Sequence, residues 1–278
     1  MDNNQKVISM IQKYLSPLFL FLGTIFTSPL HAAIGDIEWA RSQIEQYQEL
    51  NWLAEDSVRS TQHGVSGNQS SKLSYALFGK TYDELDRTFH TLKCLTLFLK
   101  GDEDSYKELI KAQPEKEQLT FESFKAVGKE ARALIQGDSE LEEAMKIALI
   151  FGDMGKTEKA RQLAKQHGIE EADHDHFLHQ VLEKCPEIFP SYERLSPTIK
   201  QWIKKEFPIH LGHLTHLEGG PEILTPLKQS QLAKEDPKAI NFFLFVHICD
   251  VAGALAHVNN QGSLTYTEKI HQTMCLLK

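Results

Sequence analysis

Two stretches of this chain hold carboxylates where a carboxylate is expensive. The first is Ala148-Leu149-Ile150-Phe151-Gly152-Asp153-Met154-Gly155-Lys156. An apolar helix here ends in an aspartate, followed by a glycine suited to a C-terminal cap and then a lysine. The second runs from Phe242 to His257 and is apolar almost throughout, with Asp250 in its middle. An ionised carboxylate in such surroundings is neutralised or paired, so each aspartate predicts a partner: a metal, an Arg or Lys, or a helix N-terminus. Imidazoles are the other chemically useful groups. His90 stands on an apolar helix, Asp173-His174-Asp175-His176 opens another with His179 following, and His210, His213 and His216 repeat every third residue just before Glu218. At that spacing they fan around a helix, so at most two converge on one point. His247 precedes Asp250 by about one turn and His257 follows it by two. Side chains of these kinds, brought together from several helices, are the mixed N/O set that holds a divalent ion.

The order in which they occur resembles that of the HD-domain metal-dependent phosphohydrolases. Phe151 to Lys156 resembles the stretch written H-D-x-G-K in that family, with Gly152 standing where the family has its second histidine. His90 matches the upstream histidine, Asp250 the late aspartate, and the resemblance spans about residues 82–258. It implies metal ligation by His90, Asp153, His174 or His176, His213 and Asp250. It also implies a catalytic role for Lys156, toward a substrate phosphate. Glu218 is a catalytic candidate on its own ground: Gly219-Gly220-Pro221 puts it at a helix end, where a carboxylate projects either into a cleft or into solvent. The cofactor would be one or two divalent ions (Mn, Fe, Zn, Ni or Mg), lowering the pKa of bound water and polarising a phosphoryl oxygen. The substrate would be a small phosphorylated molecule.

Each of these residues has a plainer reading too. His90 fits a hydrogen-bonded core histidine, Asp153 a cap or salt bridge, and the 173–176 run an exposed helix start that favours acids. Lys156 also suits the C-terminal end of the preceding helix. Loss of the HD histidine fits a degenerate fold that binds a ligand or a protein partner without turnover, and a third class is a helical interaction protein with structural histidines. Other chemistries lack their signatures. There is no G-x-x-x-x-G-K-[ST] phosphate loop, no H-E-x-x-H helix and no G-x-S-x-G elbow. Gly262-Ser263 is a weak anion-binding candidate, placed just before the last helix.

The elements that would position these groups are helices. Ser/Thr-x-x-Glu capping boxes occur at Thr81–Glu84, Ser139–Glu142 and Thr265–Glu268, and Ser196-Pro197 and Asp236-Pro237 are cap-plus-proline starts. Helices are predicted over about 36–58, 82–100, 103–112, 121–135, 139–151, 156–166, 174–184, 197–206, 208–218, 237–258 and 264–277. Leu85, Phe89, Leu92, Leu95 and Leu99 step by three and four along the second of these, giving one buried face. The fold class expected is an all-α, multi-helix HD-like bundle over 72–278, preceded by an N-terminal helix and polar loop over 34–71.

Residues 1–33 have the layout of a secretory signal peptide: Lys6 and Lys13, an apolar stretch, then His31-Ala32-Ala33. Export to the periplasm or medium is expected, or membrane anchorage if the leader stays. Leader removal takes away two positive charges and one negative, moving the net charge from −8 to −9. With no clustered basic patch, nucleic acid is not expected as the main partner, nor a membrane after cleavage. The four cysteines, Cys94, Cys185, Cys249 and Cys275, show no C-x-x-C spacing. Cys94 and Cys249 read as buried thiols, with a disulfide open to an exported chain.

Overall fold

The structure is a computed structural model that describes residues 34–55, 72–169, 174–206 and 236–275 (backbone alone at 174–176 and 206). The expected leader over 1–33, the stretch 60–71 expected as a polar loop, His210, His213, His216 and Glu218 lie outside these residues. The described residues are all-α, with no strand among them. The chain divides into two compact units, Met1–Gln43 and Ile44–Lys278. Of the first, residues 34–43 are described, all within helix α1 (34–46).

The second unit continues with a 3-10 helix, Gln48–Leu53, then α2 (Leu73–Phe78), α3 (Asp83–Lys100), α4 (Glu103–Ile110), α5 (Phe121–Ile135), α6 (Ser139–Met154), α7 (Glu158–Gln166) and α8 (His174–Lys184). After a short 3-10 turn, Pro186–Ile188, come α9 (Pro190–Glu193), α10 (Pro197–Glu206), α11 (Pro237–Gly253) and α12 (Glu268–Cys275). Five starts are fixed by side chains that satisfy orphan amides. Asp102 accepts from Ser105 N, Thr120 from Ser123 N, Asp138 from Glu140 N, Thr157 from Ala160 N and Asp236 from Lys238 N.

Helix α3 is central. It packs against α2, α4, α5, α6 and α11, and α11 in turn packs on α5, α6 and α10. Of the predicted face, Leu85, Phe89, Leu92 and Leu95 are buried and Leu99 is half-buried, while Cys94, Leu97 and Phe98 are buried on other sides. Together with the 3-10 helix Gln48–Leu53, these neighbours enclose a helix whose spacing predicts one apolar face. One aromatic core gathers Phe98 with Phe124 at 5.4 Å, Tyr266 at 5.8 Å and Phe245 at 6.2 Å between ring centres. Another joins Phe151 to Phe189 at 4.6 Å, with Tyr192 and Trp52 alongside. Helices α3 and α11 meet closely where Gly253 faces Thr91, and a Cβ there would lie 2.9 Å from the Thr91 Cα.

Several expected boundaries move. The helix predicted over 36–58 gives way after residue 46 to the 3-10 turn. Helix α11 ends at Gly253, not near 258. Beyond it Ala254 N bonds Val251 O and Ala256 N bonds Gly253 O, the tight i→i−3 pattern of a closing helix. Helix α12 starts at Glu268 rather than near 264. The Thr81 and Thr265 capping boxes do not form. Glu84 is committed to an ionic cluster, while Thr265 Oγ1 donates to the Val251 carbonyl and Glu268 accepts from Thr120 N at 2.9 Å, capping α5 instead. Asp138 displaces Ser139 as the cap of α6.

Candidate functional site

Helix α3 places Glu84, Arg87 and Thr88 at i, i+3 and i+4, on one side of the helix. The last turn of α6 and the tight turn after it place Asp153 and Lys156 opposite them, with Lys156 N bonded to Asp153 O at 3.1 Å. Helix α11 adds Asp250. Three carboxylates and two cations thus meet between three helices, each on a different part of the sequence.

Lys156 Nζ donates to Glu84 Oε2 at 2.8 Å and to Asp153 Oδ1 at 2.9 Å. Arg87 spans the two aspartates: Nη1 reaches Asp153 Oδ1 at 3.4 Å and Nη2 donates to Asp250 Oδ1 at 2.9 Å. Nη1 also lies 3.6 Å from Glu84 Oε2. The Thr88 hydroxyl stands 2.9 Å from Asp153 Oδ2 and 2.9 Å from the Glu84 carbonyl. Glu84, Asp153 and Lys156 are buried, and Asp250 opens outward, its side chain 43% exposed. Arg87 Nε–H is buried and has no acceptor among the described residues.

The electrostatics follow from this geometry. Burial pushes the Asp153 carboxyl up, but Arg87 and Lys156 together outweigh it and hold the group well below the usual carboxylate range. Glu84 goes the other way: burial and the Asp153 charge raise it despite Lys156 and Arg87. Burial works against the charge on Lys156 and Arg87 as well. The neighbouring carboxylates overcome it, and both stay more firmly protonated than in water. Asp153 is therefore a buried anion whose counter-charge the chain itself supplies.

Of the residues singled out from sequence, Asp153, Lys156 and Asp250 are brought to one centre. His90 is turned to another side of α3. Its Nε2 pairs with the Gly262 carbonyl at 3.1 Å, and burial lowers its pKa to about 4, which makes it a neutral donor. His174 and His176 sit at the start of α8, with side chains outside the described residues. His213 and Glu218 are outside them entirely. Gly262-Ser263 opens no helix; Ser263 N donates to the Leu109 carbonyl at 2.7 Å. His257 is buried beside the cluster, with its pKa lowered chiefly by burial. Asp86, one turn before His90, accepts from Ser74 N at 2.8 Å and Ser74 Oγ at 2.6 Å, and so ties α2 to α3.

Glu84 and Asp153 are engaged by the chain's own cations at the oxygens a metal ion would need. Among the described residues no three His, Cys, Asp or Glu side chains are grouped to hold one. The oxygens of Asp153 that would ligate it face an ammonium, a guanidinium and a hydroxyl. The residues missed from sequence are Arg87, Glu84 and Thr88. Their signal was an arginine with a glutamate three residues before it, on an otherwise well-buried helix, where a charge needs an opposing one.

Fold and site together define an all-α bundle built around a buried, internally neutralised ionic centre. The family model of DUF6829, a family of unknown function, matches residues 42–276, and the chain belongs to that family. No curated protein and no solved structure matches it.

Proposed function

We propose that the chain is a catalytically degenerate, HD-like all-α module that binds a ligand or a protein partner. The observation behind this reading is the pairing of Asp153, which the resemblance would make a metal ligand, with Lys156, Arg87 and Thr88. The orphan Nε–H of Arg87 and the outward side of Asp250 supply a donor and a charge for a bound group. Among the described residues no helix is long and apolar enough to cross a membrane.

A metal-dependent phosphohydrolase acting on a small phosphorylated substrate is the second reading. It is favoured by the convergence of Asp153, Asp250 and Lys156 from distant parts of the sequence. A divalent ion would then have to displace Arg87 and Lys156 from the carboxylates, at the cost of exposing two buried cations to each other.

Elemental analysis of the purified chain separates the two. Wild type and Asp153→Ala are measured side by side after reconstitution with Mn, Fe and Zn, with a phosphate-ester screen on the wild type. The binding-module reading expects no stoichiometric metal, no turnover and no change of melting temperature with chelator. Near-stoichiometric metal in wild type, lost in Asp153→Ala, would overturn it in favour of the hydrolase.

A further inference from the structure

The last helix holds a second cluster, separate from the ionic centre. Cys275 and His271 are four residues apart on α12 and so lie on one face. Cys275 Sγ is 3.5 Å from His271 Nε2, and His271 Nδ1 is 3.0 Å from the hydroxyl of Tyr266. Tyr266 is fully buried, and burial raises its pKa well above the ordinary phenol value, which keeps it neutral. The imidazole is 9% exposed and packs edge-on to the Tyr266 ring at 6.0 Å. A thiol, a base within hydrogen-bond reach and a third group that orients the base make the arrangement used to activate a nucleophile.

The other cysteines differ in kind. Cys94, Cys185 and Cys249 are buried, and burial pushes Cys94 up to about 12 and raises Cys249 well above the ordinary thiol value. Such thiols are inert. Cys275 is exposed.

We infer that Cys275 is a histidine-assisted reactive thiol that forms mixed disulfides with small disulfides, Tyr266 being the residue that positions His271. His271 Nε2 takes the thiol proton. The Cys275 sulfur attacks one sulfur of R–S–S–R, a Cys275–S–S–R bond forms, and the R–S–S–R bond breaks. The departing thiolate takes the proton from the imidazolium and leaves as RSH. Cys275 is oxidised and one half of the disulfide is reduced. While the imidazolium lasts, both ring N–H groups have acceptors, the sulfur and the phenol oxygen.

The test follows release of the coloured thiolate from an aromatic disulfide, 5,5′-dithiobis(2-nitrobenzoate), by the full chain at neutral pH, with glutathione as the reference thiol. The native chain should show a single fast equivalent, absent in Cys275→Ser. All four thiols should react together in denaturant. His271→Gln should slow the fast equivalent by about tenfold or more, as loss of a general base does. Tyr266→Phe should slow it by a smaller factor, with an unchanged circular dichroism spectrum. A native Cys275 no faster than glutathione would overturn the proposal, as would a His271→Gln chain of wild-type rate. If His271→Gln does not fold, the comparison of wild type with glutathione and with Tyr266→Phe decides: equal rates in all three reject the assignment.

Discussion

Replacing Lys156 by methionine removes an ammonium that sits 2.8 Å from Glu84 and 2.9 Å from Asp153 and keeps the length and most of the bulk of the side chain. At an effective dielectric of about 20, each contact is worth about 6 kcal/mol of Coulomb energy before desolvation is charged against it. Most of that gain offsets the cost of burying the ions. What the variant loses is the compensation, since two carboxylates then face each other with Arg87 alone between them. Breaking a buried pair in this way costs about 3–5 kcal/mol. For a chain of this size that lowers the melting temperature by roughly 10 °C. Urea unfolding followed by circular dichroism at pH 7 measures it. The pH dependence gives a second reading. In wild type the Asp153 carboxyl is depressed, so its contribution is present above its unfolded value of 3.8 and is lost as pH falls through the folded value. Glu84 is raised, so the native state takes its proton more readily than the unfolded chain does. Without Lys156 both carboxyls move up, and the gap between variant and wild type should narrow as pH drops from 7 toward 4.5. A loss below about 1 kcal/mol, or a gap that widens on acidification, would refute the account of Asp153 as a buried, internally paired anion.

Two glycines should respond in opposite ways. Gly152 lies in helix α6 with nothing within 4 Å of an added Cβ, so Gly152→Ala should stabilise the chain by up to about 1 kcal/mol. Gly253 touches Thr91, so Gly253→Ala should force α3 and α11 apart and cost about 1–3 kcal/mol in the same urea assay. His90 makes a third case. Its folded pKa of about 4 is below the ordinary 6.5, so the unfolded chain binds the proton first. Its contribution is full above pH 6.5 and falls as pH drops toward 4, by up to about 3 kcal/mol. Urea midpoints across that range, compared with those of His90→Asn, should show the slope in wild type and lose it in the variant.

The helical class was legible because Leu85, Phe89, Leu92 and Leu95 repeat with helical period and because Asp236-Pro237 and similar starts fix helix ends. Helices α5, α8 and α10 begin and end where the sequence places them. The misplaced ends share a cause. Glu84, Thr265 and Glu268 are good capping residues in isolation, and tertiary partners took each one for another purpose. Asp153, Lys156 and Asp250 were legible as a site because a carboxylate in an apolar run demands an opposing charge. The identity of that charge was not. Arg87 is 66 residues from Asp153 and 163 from Asp250, and no local pattern links them. His90 was open to two readings for the opposite reason: a histidine on a buried helix face looks alike in sequence whether it meets a metal or the carbonyl of Gly262.

The choice between binding and catalysis then turns on the energetics of one centre. A site that activates water must leave its metal an open position and must leave its ligand oxygens free. Here the ligand oxygens of Asp153 are already satisfied by groups on α3 and on the turn after α6, and the guanidinium among them also binds α11 through Asp250. Pulling Arg87 away would break the α3–α11 link beside the tight Gly253–Thr91 contact. The ionic centre therefore serves the packing of α3, α6 and α11. Any ligand it recognises must add to the network, by meeting Arg87 Nε or the open side of Asp250, rather than replace its members.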